Sequence, residues 1–208
     1  MMEISEFKKL PIIGILRGVQ EEILAPLVTC IIESGLKTIE ITMNTKNAAS
    51  QIEKAIAYSN NKLTIGAGTV MTMRDLETAL NAGASFIVMP TINDDILAYC
   101  LRNKIPVFPG ALTPNEIYKA WQKGATMVKV FPSSLFGPAY FKEIKAPFNN
   151  IELLACGGIT SKSIKEYFEM GASGAAFGAS IFKQEWLENK NFASIKEKIV
   201  SLVKAYKE

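Results

Sequence analysis

The sequence predicts an α/β fold, namely a single-domain (β/α)8 TIM barrel that spans residues 1–208. Eight short β-rich runs alternate with amphipathic helical stretches along the chain. Strands that alternate with helices indicate βαβ units around a parallel sheet, and eight such units in 208 residues fit a compact barrel. A doubly wound open sheet is the alternative. No linker, shift in composition or low-complexity segment marks a second domain.

The predicted strands follow one another with room for a helix after each. In chain order they are PIIGILRG (11–18), TIEITMN (38–44), LTIGAGTV (63–70), FIVMP (86–90), PVFPGA (106–111), MVKVFPS (127–133), IELLACGG (151–158) and GAAFGAS (174–180). Amphipathic helices are predicted between them, for example over 21–35 and 75–84, and a last one covers 195–208. Glycine is a common helix stop, and it closes several of these helices, at Gly35, Gly83, Gly124 and Gly171.

The composition excludes several classes of function. Histidine is absent, so the chain has neither a Ser-His-Asp triad nor a His-ligated zinc site, and we expect no metal and no organic cofactor. The net charge is only +3, and no Lys/Arg block is interleaved with aromatic residues, which disfavours nucleic acid as a partner. The three cysteines are far apart, and no apolar run suggests a signal core or a membrane span. We therefore expect a cytoplasmic protein.

The first and third strands carry two candidate binding residues. Arg17 ends the first strand, where the mouth of the barrel is expected, and its guanidinium could hold a carboxylate as a bidentate fork. An ordinary surface arginine is the alternative. The third strand contains GAGTV (66–70), which could bring backbone and the Thr69 hydroxyl close to a ligand. Its alternative is a glycine-rich strand packed against a helix.

The second and sixth strands carry charged residues where burial is expected. Side chains alternate along a strand, so Glu40 shares the polar face of the second strand, which should point into the barrel. Lys129 lies between Val128 and Val130 in the sixth strand, and by the same rule it could look inward toward Glu40. An interior salt bridge is the alternative, although a buried pair is often no more stabilising than apolar packing.

A lysine in a dry barrel interior can serve as a nucleophile. Burial disfavours the charged form of an amine, and the neutral amine of Lys129 could form a Schiff base with a carbonyl compound. The iminium withdraws electrons, so a carbon–carbon bond one atom further on can break. A nearby carboxylate such as Glu40 can move the protons. This pairing suits a class I aldolase.

The last two strands end in glycine-rich turns where such barrels frequently bind phosphate. The first turn, CGGIT, contains Gly157 and Gly158, and the second, FGAS, contains Gly178 and Ser180. Plain tight turns are the alternative for either one. Two such turns in the two expected places together indicate a phosphate site.

Five motifs in order, GILRG, IEITMNT, GAGTV, MVKVFPSSLFGPAY and CGGIT, resemble the 2-keto-3-deoxy-6-phosphogluconate / 4-hydroxy-2-oxoglutarate aldolase family. The resemblance runs over nearly the whole chain. It implies a homotrimeric barrel in which Lys129 forms a Schiff base with pyruvate or the keto acid and Glu40 is the general acid and base through a water. It further implies a keto-acid pocket formed by Arg17, Thr69, Pro90 and Phe131. It also implies a phosphate site formed by Gly157, Gly158, Gly178 and Ser180.

The motifs do not follow one branch of this family throughout. FPSSLFGPAY resembles the 6-phosphogalactonate branch, and Asn44 stands where many phosphogluconate-type members have an arginine. Cys156, ahead of the double glycine, follows neither the threonine of the gluconate type nor the valine of the galactonate type. The preferred C4 epimer of the substrate is therefore open.

These observations predict a metal-independent class I aldolase. Its expected reaction is reversible cleavage of 2-keto-3-deoxy-6-phosphogluconate, or of its galactonate epimer, to pyruvate and glyceraldehyde 3-phosphate, with 4-hydroxy-2-oxoglutarate as a further candidate substrate. Another phosphosugar isomerase or epimerase, which would not need a nucleophilic Lys129, is one alternative. A non-catalytic phosphometabolite-binding protein is the other.

Overall fold

The computed structural model describes residues 1–208 and confirms the predicted parallel barrel. Nine strands form one sheet in the order β5-β4-β3-β2-β1-β9-β8-β7-β6, and every pair of neighbours is parallel. The strands are Ile12–Leu16 (β1), Thr38–Thr42 (β2), Thr64–Gly68 (β3), Ile87–Val88 (β4), Val107–Phe108 (β5), Gly110–Ala111 (β6), Val128–Val130 (β7), Leu153–Cys156 (β8) and Gly174–Phe177 (β9).

The fifth predicted strand is divided in two, which makes nine strands instead of eight. Pro109 separates β5 from β6, and proline has no N–H to donate to a ladder. The two halves pair with different strands: β5 pairs with β4, and β6 pairs with β7. The carbonyl of Pro109 still accepts a hydrogen bond of 2.8 Å from the N–H of Lys129. The stretch therefore joins the two ends of the sheet into a nearly closed barrel.

Ten α-helices surround the sheet, and all but the first, whose Phe7 packs inside the barrel, cover its outer side. They are Ile4–Phe7 (α1), Leu24–Glu33 (α2), Ala48–Ser59 (α3), Met73–Asn81 (α4), Asp94–Arg102 (α5), Pro114–Gln122 (α6), Gly137–Lys145 (α7), Ile164–Glu169 (α8), Gln184–Glu188 (α9) and Phe192–Lys207 (α10). The four glycines predicted to stop helices follow α2, α4, α6 and α8 with φ between 83° and 101°, as predicted. The short helices α1 and α9 were not predicted. No helix combines the length and the apolar character that crossing a membrane requires.

The apolar residues form two cores on the two sides of the sheet. The larger core lies between sheet and helices and contains the outward side chains of β2, Ile39 and Ile41. The smaller core lies inside the barrel, where Phe108 makes edge-to-face contacts with Phe7 and Phe86 at centroid distances of 5.8 Å. Burying one such phenyl ring stabilises the fold by roughly 1.5–3 kcal/mol. The alternation predicted for β2 is therefore observed.

Candidate active site

A cavity of about 630 Å³ opens at the carboxyl ends of the strands. It brings together Lys129 and all eight residues that the sequence predicted to bind substrate. Its full lining is Ile15, Arg17, Thr69, Pro90, Lys129, Phe131, Cys156, Gly157, Gly158, Gly178, Ala179, Ser180, Phe182 and Gln184. Glu40 alone among the predicted site residues does not belong to this lining.

Lys129 enters the cavity from the middle of β7. Its neighbours Val128 and Val130 are fully buried in the outer core, and the alternation of the strand turns the lysine to the inside. Only 5% of Lys129 is exposed. Its Nζ lies 5.2 Å from the centroid of the Phe131 ring, a distance that allows a cation–π contact. Lys129 is the only lysine in the cavity wall.

Glu40 lies inside the barrel on β2 and is 1% exposed. Its Oε2 is buried without a hydrogen-bond partner. Burial raises the pKa of this carboxyl above its ordinary value, while the positive charges of Lys129 and Arg17 oppose the shift. No ion pair joins Glu40 to Lys129, so the salt-bridge alternative is not what the structure contains.

Arg17, Asn44 and Thr69 form a small polar network at the mouth of the cavity. The Arg17 guanidinium donates hydrogen bonds to the Thr69 hydroxyl at 3.3 Å and to Asn44 Oδ1 at 3.5 Å. Thr69 has a φ of 55°, which is unusual for a β-branched residue and costs roughly 1–3 kcal/mol. Strain of this kind is concentrated at functional sites. The network directs one guanidinium toward the cavity, where a carboxylate can bind.

The opposite end of the cavity offers backbone donors. The N–H groups of Gly157, Gly158, Ala179 and Ser180 donate no hydrogen bond within the protein. Gly157 and Gly158 have φ values of 108° and 73°, which glycine adopts without strain. The Ser180 hydroxyl donates to the carbonyl of Ile159 at 2.8 Å. Unused N–H groups on two adjacent turns form a concave site suited to an anion such as phosphate.

Cys156 lines the cavity between these two ends. The residue is 2% exposed, and burial raises the pKa of its thiol to about 11. The thiol is therefore a small, neutral part of the cavity wall. No group of three His, Cys, Asp or Glu side chains is arranged to hold a metal ion.

Three lining residues were missed by the sequence analysis. Ile15 lies two positions before Arg17 on β1, so the alternation of that strand was a signal for it. Phe182 and Gln184 follow the second glycine turn, and Gln184 begins α9. The unpredicted helix places Gln184 at the cavity, Phe182 belongs to the turn before it, and no pattern in the sequence indicated either residue.

Comparisons with known proteins show which proteins this chain is similar to. A family model described as KDPG and KHG aldolase matches residues 4–198. The 2-dehydro-3-deoxy-6-phosphogalactonate aldolase of Escherichia coli (strain K12) is 30% identical over 201 residues, which are 96% of this chain and 96% of that protein.

Two solved structures are similar over nearly their whole length. A structure described as native KDPGal has a TM-score of 0.88 and 30% identity, and the match covers 96% of this chain and 95% of that one. The KDPG aldolase of Legionella pneumophila, with pyruvate captured at low pH as a covalent carbinolamine, has a TM-score of 0.86 and 27% identity, over 94% and 95% of the two chains.

Proposed function

The chain belongs to the KDPG and KHG aldolase family, as its motifs predicted, and we propose that Lys129 is the Schiff-base nucleophile of a class I aldolase. The substrate is a 2-keto-3-deoxy-6-phospho sugar acid, and the products are pyruvate and glyceraldehyde 3-phosphate. One observation carries this proposal: the cavity wall contains a single lysine, buried on the inner face of a strand. Pyruvate held as a covalent carbinolamine in the similar Legionella pneumophila enzyme supports it.

The reaction begins with attack of the Lys129 amine on the C2 keto carbon. The resulting carbinolamine loses water and leaves an iminium ion. A base then removes the proton of the C4 hydroxyl, the C3–C4 bond breaks, and its electron pair moves toward the iminium nitrogen. The aldehyde leaves, and an enamine of pyruvate remains on Lys129. Protonation at C3 followed by hydrolysis releases pyruvate and restores the amine.

Glu40 is the group that moves these protons, through an intervening water. Burial raises the pKa of the Glu40 carboxyl. A general base works best when its pKa approaches the operating pH. Its Oε2 has no partner in the protein and remains available to accept a hydrogen bond. The charges of Lys129 and Arg17 favour the ionised form that accepts the proton.

The two ends of the cavity bind the two anionic ends of the substrate. The Arg17 guanidinium, held by Thr69, takes the carboxylate next to the keto carbon. The unused N–H groups on the turns at Gly157–Gly158 and Gly178–Ser180 take the phosphate. Pro90 and Phe131 form the wall near the keto acid.

Release of pyruvate from both C4 epimers tests the proposal. We expect pyruvate from both the gluconate- and the galactonate-derived phospho keto acid, measured by coupling to lactate dehydrogenase, and pyruvate with glyoxylate from 4-hydroxy-2-oxoglutarate. An isomerase or an epimerase would consume the substrate without releasing pyruvate. A binding protein would not consume the substrate. Absence of pyruvate with all three substrates would contradict the proposed function.

We also propose that the protein is a cytoplasmic homotrimer. Large apolar side chains are exposed after β7, where Leu135 and Phe136 are 67% and 55% accessible, and such a cluster is suited to contact between subunits. Three free cysteines fit a reducing compartment. Analytical ultracentrifugation of the wild type should give a trimer, and Leu135→Glu should shift it toward the monomer. A monomeric wild type would refute the assembly.

A further inference from the structure

The interior face of β3 carries two glycines that face β2. In the parallel register Glu40 is opposite Gly66, and Thr42 is opposite Gly68. Residues at paired positions point to the same side of a sheet, so a Cβ at either glycine would point into the barrel. The two glycines leave space in the interior, and that space is occupied by two quite different side chains.

A Cβ placed at Gly66 would lie 2.5 Å from the ring of Phe86, whereas one placed at Gly68 would lie 2.2 Å from Oε1 of Glu40 and 2.6 Å from its Cδ. Real Cβ contacts are essentially never shorter than 3.0 Å. The Glu40 carboxylate therefore rests directly against the Cα of Gly68, and any side chain at residue 68 would displace it.

The Glu40 carboxylate packs against Gly68, and no hydrogen bond holds it in place. Neither oxygen of Glu40 takes part in a hydrogen bond within the protein, and no ion pair reaches Lys129. A carboxylate without directional partners adopts the position that its neighbours leave open. Gly68 itself is fixed, because its carbonyl accepts a hydrogen bond of 2.7 Å from the N–H of Met43, which directly follows the adjacent strand β2.

We propose that Gly68 is a positioning residue for proton transfer, and that its missing side chain sets the place of the Glu40 carboxylate relative to Lys129. The inference rests on the proposed function, in which Glu40 is the acid and base. Substitution by alanine must move the carboxylate from 2.2 Å to at least 3.0 Å from the new Cβ, a shift of about 0.8 Å. A misplacement of about 1 Å in an active site can cost on the order of 10²-fold in rate.

Two measurements with pyruvate alone separate positioning from a general structural effect. Trapping by borohydride reports imine formation on Lys129, and exchange of the pyruvate methyl protons for deuterium, followed by NMR, reports proton transfer. For Gly68→Ala we expect trapping close to that of the wild type and exchange slower by about 10²-fold. A variant that exchanges at the wild-type rate, or that loses trapping and exchange equally, would overturn the inference.

A double mutant shows whether Gly68 acts through Glu40. Glutamine keeps the shape of the side chain and its collision with residue 68 but cannot act as the base. In the Glu40→Gln background, Gly68→Ala should therefore change exchange by less than about threefold, the non-additivity expected of two residues in one contact. Multiplication of the two single effects would contradict the proposal. Gly174→Ala is the control, because its Cβ would lie 2.8 Å from Leu154 Cδ1 and near no residue of the cavity wall, and it should exchange normally.

If Gly68→Ala folds poorly, thermal unfolding provides a second test. Removing the Glu40 side chain removes the collision, so Glu40→Ala should raise the Tm more in the Gly68→Ala background than in the wild type. Failure of this rescue would overturn the inference. The proposed function fails in a different way, since in that case the wild type itself neither traps nor exchanges pyruvate.

Discussion

Lys129 and Glu40 are both almost fully buried inside the barrel, yet no ion pair joins the lysine Nζ to the glutamate carboxylate. Burying an ionisable group without a close partner destabilises a fold, and breaking a buried pair typically costs about 3–5 kcal/mol. A pair kept for stability would be in contact. The absence of an ion pair leaves the Lys129 amine free to react with a carbonyl compound, as the proposed imine chemistry requires.

Glu40→Gln tests the assignment of the base. Glutamine keeps the shape of the side chain but cannot accept the proton, so turnover should fall by roughly 10²- to 10⁴-fold. Pyruvate should still be trapped by borohydride, since imine formation depends on Lys129. Steady-state kinetics and trapping on the same preparation check both expectations. Normal turnover would leave Lys129 without its proposed proton partner.

The same substitution should change the pH dependence of stability. Burial raises the pKa of Glu40 above 4.5. At a pH between 4.5 and this raised pKa, Glu40 therefore keeps its proton in the folded protein and has lost it in the unfolded chain. This contribution to stability is present below pH 4.5 and is lost as the pH rises through the raised pKa. Glu40→Gln should thus have a higher Tm than the wild type at mildly alkaline pH, with the difference shrinking in acid. Thermal melts across this range would disagree if the difference stayed constant.

Arg17→Lys tests the carboxylate site. Lysine keeps the positive charge but loses the planar fork and the hydrogen bond to the Thr69 hydroxyl. We expect KM for the keto acid to rise by roughly 10- to 100-fold, as for loss of one hydrogen bond to a charged group, with a smaller change in kcat. Arg102→Lys, at an exposed position on α5, serves as the control and should behave as the wild type. An unchanged KM for Arg17→Lys would place the carboxylate elsewhere.

Cys156 should permit both C4 epimers. The buried thiol is small and only a weak donor, so it cannot discriminate strongly through a hydrogen bond with a substrate hydroxyl. We expect the two phospho keto acids to differ in kcat/KM by less than about 100-fold, the scale at which packing decides. Cys156→Thr should shift the ratio toward the gluconate epimer. If a preference of many thousandfold remains unmoved, the discriminating contact lies elsewhere, and Asn44 is the next residue to test.

The sequence predicted the barrel and most of the cavity because both depend on local patterns. The strand-to-helix alternation and the period of two along β2 and β7 placed Glu40 and Lys129 inside correctly. The fifth strand is divided at Pro109 because its two halves pair with different strands, β4 and β7. That pairing is a property of the closed sheet, which a local sequence pattern does not show. Gly68 and Glu40 belong to different strands. The glycine-rich motif alone therefore did not reveal that the Glu40 carboxylate fills the space left by the missing side chain of Gly68.

Borohydride reduction in the presence of pyruvate tests most directly whether Lys129 forms the imine. We expect one reduced pyruvate per chain, found by peptide mass spectrometry on Lys129. Lys129→Ala and Lys129→Arg should fold, gain no adduct and lose cleavage activity, because neither side chain supplies a neutral amine. Lys119→Ala, a substitution of an exposed lysine on α6, should be labelled as the wild type is. An adduct on another lysine, or cleavage by either Lys129 variant at the wild-type rate, would contradict the account.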